Sequence, residues 1–227
     1  MKQRTSIFIC YLELSGYFIA CLETLVKKHD IDVHVVRKLI NKEAPFKLND
    51  LSNNIKLYNA DDLDYNSLKN LAENINPDLF FSGGWGEKKY LKLAKHLKKT
   101  TITVLGFDNK WEGNLKQRIL ITLGRIIIKP KFNYAFVPGQ KQKKFAQKLG
   151  FPNNKIKLGA YSADINYFSQ VFDKNKANLN TNQTKHFLYI GRYIKHKGIF
   201  DMWNAFAEIQ AETPNDWEFW CIGTGEE

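Results

Sequence analysis

Two cations stand close together in the last quarter of the chain: Arg192, directly after Gly191, and Lys197, directly before Gly198. An arginine guanidinium can fork two oxygens of a phosphate, and a lysine ammonium adds a point charge. The apolar run before Gly191 reads as a strand and the stripe after Gly198 as a helix, so both cations fall on a strand-to-helix turn. The start of a helix there offers free amide groups and the positive end of its dipole. Such a pair suits a departing diphosphate, whose growing negative charge two fixed cations stabilise without a metal. The same spacing also fits two ordinary surface cations at a turn, so the surrounding sequence has to decide.

Other residues invite weaker readings. Asp108 ends an apolar run within Gly106-Phe107-Asp108-Asn109-Lys110-Trp111, where a carboxylate either faces a ligand or caps the next helix. Ser15-Gly16 opens the first helical stripe, and a glycine there either turns the chain or lets a ligand approach the backbone. Gly83-Gly84-Trp85 reads first as a tight turn and second as a wall of an acceptor site. Asp62-Leu63-Asp64 spells the two-carboxylate pattern that holds a divalent cation against a diphosphate. It precedes a helical stripe, however, and Asp64 reads as its N-cap, so no metal site is expected. His29, His34, His96, His186 and His196 have no metal-ligand spacing. Neither a G-x-S-x-G elbow nor a Walker loop occurs.

The elements that must carry these residues alternate. Strand-like runs fall at 6–12, 31–35, 55–58, 78–82, 101–107, 134–137 and 156–158. Between them, helical spacing of apolar residues marks 17–29, 68–75, 87–99, 114–129 and 140–149. Strands alternating with helices predict a parallel sheet covered on both faces, with ligands bound beyond the carboxyl ends of the strands. The turns after the strands, at 13–16, 83–86, 106–111 and 139, are therefore the ones to inspect. From 170 to about 185 the composition shifts to Asp, Asn, Lys, Thr and Gln, and a linker is expected. A strand at 186–190, a helix marked by Ile199, Met202, Trp203, Phe206 and Ile209, and a strand at 217–222 follow. This divides the chain into a first domain (1–169), a linker (170–185) and the start of a second domain (186–227).

The chain has 227 residues, 44% hydrophobic and 25% charged, a globular composition long enough to bury a sizeable core. Three cysteines, Cys10, Cys21 and Cys221, form no C-x-x-C pair, which fits a reducing compartment and small core residues. The net charge of +11 is uneven: residues 1–170 hold 28 Lys/Arg against 15 Asp/Glu, and residues 171–227 hold 6 against 8. The first domain is therefore expected to meet an anionic partner. Its helix at 114–129 is too apolar for one whole side to face water, and it carries Lys116, Arg118, Arg125 and Lys129. Contact with an anionic membrane surface is the expectation. A nucleic-acid partner is not, since no binding motif accompanies the charge. Glu13 and Ser15-Gly16 interrupt the apolar N-terminal run, so it does not read as a signal peptide, and no stretch has the apolar length of a spanning helix.

The string around the two cations carries a resemblance. Phe187-Leu188-Tyr189-Ile190-Gly191-Arg192, Lys197-Gly198-Ile199, Ala205-Phe206, and Trp217 to Ile222 followed by Gly223-Thr224-Gly225 resemble the opening of the donor domain in glycosyltransferase family 4. Leu149-Gly150-Phe151-Pro152, Lys155-Ile156 and Asp164-Ile165-Asn166-Tyr167-Phe168 are similar to that family's segments near the end of its first domain, with Ser162-Ala163 where Gly-Val is usual. The resemblance covers roughly 134–225 and implies the GT-B fold, two facing Rossmann-like domains with the site between them. It also implies transfer of a sugar from a nucleotide-sugar donor to a hydroxyl acceptor, with retention at the anomeric carbon. Arg192, Lys197 and Gly16 would then serve the donor diphosphate, and Gly191, Gly223 and Gly225 would line the donor cleft. Asp108 would orient the acceptor or steady an oxocarbenium-like sugar, with Gly84 and Trp85 on the acceptor side. The family's paired glutamates come from a later helix that these residues do not include. The resemblance therefore implies a chain that stops within its second domain, with donor binding and turnover by the 227 residues alone in question.

The expected function is thus a metal-independent hexosyltransferase without a cofactor, acting on a glycan or lipid-linked acceptor in polysaccharide biosynthesis. Its expected place is the cytoplasm, peripheral to the inner membrane face. The alternative is a non-catalytic Rossmann-like module that binds a nucleotide or a partner.

Overall fold

The computed structural model describes residues 4–38, 51–178 and 185–226. Those up to Asp164 form one compact unit, and those from Ile165 onward form a second.

The first unit is built on seven parallel strands: β1 (Thr5–Cys10), β2 (Ile31–Arg37), β3 (Ile55–Asn59), β4 (Leu79–Gly83), β5 (Ile102–Gly106), β6 (Tyr134–Val137) and β7 (Ile156–Leu158). Their spatial order is β3-β2-β1-β4-β5-β6-β7. The chain winds outward from β1 in one direction and then from β4 in the other, so the sheet is doubly wound with its switch point between β1 and β4. The α/β class and the parallel sheet expected from the alternating pattern are both present.

Five helices connect these strands: α1 (Gly16–Lys28), α2 (Tyr65–Ile75), α3 (Lys88–Leu97), α4 (Leu115–Ile127) and α5 (Gln140–Lys148). Strand β1 shows why the sheet needs cover on both sides. Phe8 and Cys10 join a cluster with Leu68 and Ala72 of α2, Leu93 and Ala94 of α3, and Phe145 and Leu149 around α5. Ile9, one residue away and on the opposite face, packs with Leu22 of α1 and with Val33 and Val35 of β2. A strand buried on both faces reads as a continuous apolar run, which is how it appears in the sequence.

The helix ends follow local chemistry. Asp64 is the N-cap of α2 and accepts the Ser67 amide at 2.7 Å. This supplies the structural reading of the Asp62-Leu63-Asp64 pattern. Asn114 caps α4 in the same way, accepting the Gln117 amide at 2.9 Å. Asp108 therefore does not cap that helix.

The second unit begins with α6 (Ile165–Asn175), followed by β8 (His186–Ile190), α7 (Ile199–Glu212) and β9 (Glu218–Ile222). β8 and β9 pair in parallel from His186↔Glu218 to Ile190↔Ile222. The linker expected over 170–185 begins as helix instead, and residues 179–184 lie outside the described residues. The polar composition hid a helical spacing of Ile165, Phe168 and Phe172 that starts before the stretch assigned to the linker. The cysteine expectation also needs correction. Cys10 is buried and Cys221 half-buried, but Cys21, on α1, is exposed.

Candidate functional site

Parallel strands leave their carboxyl ends in one row, and a cavity of about 250 Å³ opens there. It is lined by Tyr11, just beyond β1, by Gly83 and Gly84 at the end of β4, and by Gly106, Phe107, Asp108 and Asn109 after β5. Phe18 and Cys21 of α1, Phe136 of β6, and Gly159-Ala160-Tyr161 after β7 complete it. Tyr11 and Gly83 flank the switch point, where the topology itself makes a crevice.

Glycines make room for its aromatic floor. A Cβ on Gly83 would stand 2.3 Å from the Tyr11 ring, and one on Gly106 would stand 2.2 Å from the Phe81 ring. Any larger residue at these two strand ends would displace a ring. Tyr11 in turn stacks on Phe18, with ring centres 4.5 Å apart. The result is an apolar bowl with a single carboxylate, Asp108, among its lining residues.

Asp108 is held from two sides. Its carbonyl accepts a hydrogen bond from Gln142 Nε2 at 3.1 Å, and its Oδ2 accepts one from the Tyr161 hydroxyl at 3.1 Å. Burial pushes the Tyr161 phenol far above its usual range, and neighbouring Tyr11 and Asp108 push it the same way. The phenol therefore keeps its proton and stays a donor to the carboxylate. Tyr11 is raised as well, chiefly by burial. Tyr161 has φ +74°, a left-handed conformation that costs a bulky residue roughly 1–3 kcal/mol. Tyr17 packs edge-on against its ring at 5.6 Å. A left-handed backbone at Tyr161 thus holds its phenol against the Asp108 carboxylate at the cavity.

The residues picked out in the sequence are distributed as follows. Asp108 and Gly84 line the cavity, and Gly84 has φ +103°. Trp85 is not among the lining residues; it packs edge-on against Phe107 at 5.0 Å and Phe145 at 6.0 Å and so supports the bowl from behind. Gly16 opens α1 and is not a lining residue, with open space around the place a Cβ would take. Tyr11 and Tyr161 were not anticipated. No local pattern marks them, since Tyr161 lies 53 residues beyond Asp108 and meets it only through the β5–β6–β7 order.

In the second unit, Arg192 and Lys197 are both exposed on the connection from β8 to α7. Lys197 closes a 3-10 turn, and Gly198, at φ +68°, is the N-cap of α7. Asp201 places a carboxylate in the first turn of the same helix. Gly191, Gly223 and Gly225 cluster where β8 and β9 end. A Cβ on Gly223 would come within 1.8 Å of the Gly191 carbonyl oxygen, and one on Gly225 within 1.9 Å of the Tyr193 carbonyl oxygen. Their immediate reason is close approach of two backbones. Among the described residues, no group of three or more His, Cys, Asp or Glu is placed to hold a metal ion.

The chain matches solved structures across nearly its whole length. It aligns with UDP-GlcNAc 2-epimerase from Neisseria meningitidis bound to UDP-GlcNAc at TM-score 0.57 and 13% identity, covering 96% of this chain and 65% of that one. It aligns with Anabaena HepE in complex with UDP and glucose at TM-score 0.56 and 13% identity, covering 98% and 62%. A glycosyltransferase from Rickettsia africae gives TM-score 0.52 and 11% identity, covering 97% and 69%. The fold is GT-B. At these identities the similarity is one of fold, and the chain spans about two thirds or less of the length of the first two proteins. No protein-family profile matches the sequence, and neither does any curated protein.

Proposed function

We propose that this chain is the acceptor-side domain and the first βαβ unit of the donor-side domain of a glycosyltransferase that uses a nucleotide-sugar. The observation that carries this reading is the cavity at the switch point, floored by aromatic rings and holding Asp108 under a hydrogen bond from Tyr161. It supports the reading because it joins an apolar stacking surface, suited to the faces of a sugar or an apolar acceptor, to one fixed carboxylate. The fold adds support, since related structures hold UDP-GlcNAc or UDP with glucose.

In this reading Asp108 orients the acceptor hydroxyl and steadies positive charge at the anomeric carbon, while Tyr161 fixes the carboxylate's direction. Gly84 lines the acceptor side, with Trp85 holding its wall. Arg192 and Lys197 receive the departing diphosphate, and Gly191, Gly223 and Gly225 shape the donor side. The two cations supply the charge stabilisation that a metal supplies elsewhere, and the reaction retains configuration. The acceptor is a glycan or lipid-linked hydroxyl of a polysaccharide pathway.

Titration with UDP and UDP-sugars, followed by a transfer assay on the chain extended through its second domain, tests the proposal. Arg192→Ala should lower UDP affinity about tenfold or more. Asp108→Asn should leave UDP affinity in place and slow transfer by roughly 10²-fold. Absence of nucleotide binding would favour the non-catalytic module. A product epimerised at the sugar and still joined to the nucleotide would replace transfer with epimerisation.

A further inference from the structure

One surface of the first unit does not belong to the cavity at all. Helix α4 buries Gly124 and leans Leu120 and Ile121 on the core. A Cβ on Gly124 would stand 2.8 Å from Leu149, so the helix lies close against the end of α5 on that side. Its opposite side should be polar. Instead Leu115, Ile119, Leu123, Ile126 and Ile127 are 72%, 53%, 50%, 74% and 50% exposed. At 100° per residue these five share one arc, and the helix is about 20 Å long. A continuous aliphatic stripe of that length is not normal for a surface facing only water.

The charge around the stripe is one-sided. From 113 to 163 the chain has 11 Lys/Arg and no Asp or Glu. Arg118 and Arg125 flank the stripe on its polar edge. Their Nε atoms are anchored to the Gly113 carbonyl at 3.0 Å and the Lys148 carbonyl at 2.8 Å. Lys116 lies within the exposed face. The nearby carboxylate of Glu112, at the start of the helix, pairs with Lys110 at 3.2 Å.

We propose that the outer face of α4 is a membrane-docking surface that inserts its aliphatic stripe into an anionic lipid leaflet. Exposed aliphatic groups bury about 5–10 Å deep at the boundary between headgroups and acyl chains, while flanking cations meet the phosphates. A protein partner or a second copy of this chain would match the stripe but not the absence of carboxylates over fifty-one residues, unless that partner were itself strongly acidic. The docking surface stands independently of the reaction proposed above, and the experiment does not involve sugar transfer.

The test is co-sedimentation of the 227-residue chain with vesicles of phosphatidylcholine alone and of phosphatidylcholine mixed with about a third phosphatidylglycerol. The expected result is binding to the mixed vesicles only, falling several-fold as salt is raised from about 50 to 500 mM. Ile119→Gln with Ile126→Gln should reduce partitioning by roughly tenfold or more, since each change removes buried methyl groups. Both side chains are more than half exposed, so the fold is expected to survive, and circular dichroism verifies it. Equal binding by the variant and the parent chain, or no binding to anionic vesicles, would overturn the proposal. So would a dimer in solution that the same two substitutions convert to monomer, which would make the stripe a self-association surface.

Discussion

Strands β4 and β8 are written in nearly the same chemistry, Leu-Phe-Phe-Ser-Gly and His-Phe-Leu-Tyr-Ile, and they have opposite surroundings. β4 lies between β1 and β5, and Phe80 is wholly buried. β8 has β9 beside it and α7 above, and Phe187, Leu188 and Ile190 remain about half exposed or more. Among the described residues, every fully buried large side chain apart from Ile199 belongs to the first unit. The lesson is that an apolar parallel strand is a request for cover on two faces and two edges, and the number of neighbours decides how far that request is met. Hydrogen-bond pairing alone makes β8 and β9 parallel without making them a core.

The sharpest way to break this contrast is to remove equal aromatic mass from both units. Phe80→Ala should cost about 3–5 kcal/mol in denaturant unfolding of the first unit, whereas Phe187→Ala, starting half exposed, should cost less than about half of that. Equal losses would mean that the second unit is far better packed than its exposures imply. Next in size is Gly223→Ala, because its Cβ has no place beside the Gly191 carbonyl. Amide exchange across β8 and β9 should accelerate by an order of magnitude or more while β1 and β4 stay protected, and a loss of protection in both units would join what the comparison separates.

The smallest effect sharpens the first unit alone. Burial pushes the Glu23 carboxyl up, but hydrogen bonds from the Ser52 amide at 2.8 Å and from the Ser52 hydroxyl, with Lys27 nearby, outweigh it and leave it below its usual range. A carboxylate depressed by folding adds stability above its unfolded pKa, and that stability fades as pH falls through the folded value. Thermal melts of the first unit should therefore lose stability in the acid range below about pH 4.5, and Glu23→Gln should flatten that slope. An unchanged slope would leave Glu23 without its assigned contact.

Much of the fold was legible because parallel strands and their crossover helices leave periodic marks. The strand at 134–137 and the one at 156–158 coincide with β6 and β7, and Asp64 was readable as a cap from its position before a stripe. The helix α6 was missed because the polar residues after Gln170 outweighed a short stripe that had begun at Ile165. Of the candidate site, Asp108 and the Gly83-Gly84 turn were legible as residues at strand ends. Tyr11 and Tyr161 were not, because neither their spacing nor their type sets them apart from aromatic residues elsewhere in the chain.

By itself, then, the sequence determined the alternation of strands and helices, the basic excess of the first 170 residues and the pair of cations after β8. Those features are local or additive, so neighbouring residues suffice to specify them. Only the tertiary structure decided the strand order, and with it the switch point that brings Tyr11, Asp108 and Tyr161 into one bowl. It also decided which side of α4 faces outward. Both depend on contacts between residues far apart in the chain, whose partners no local pattern names.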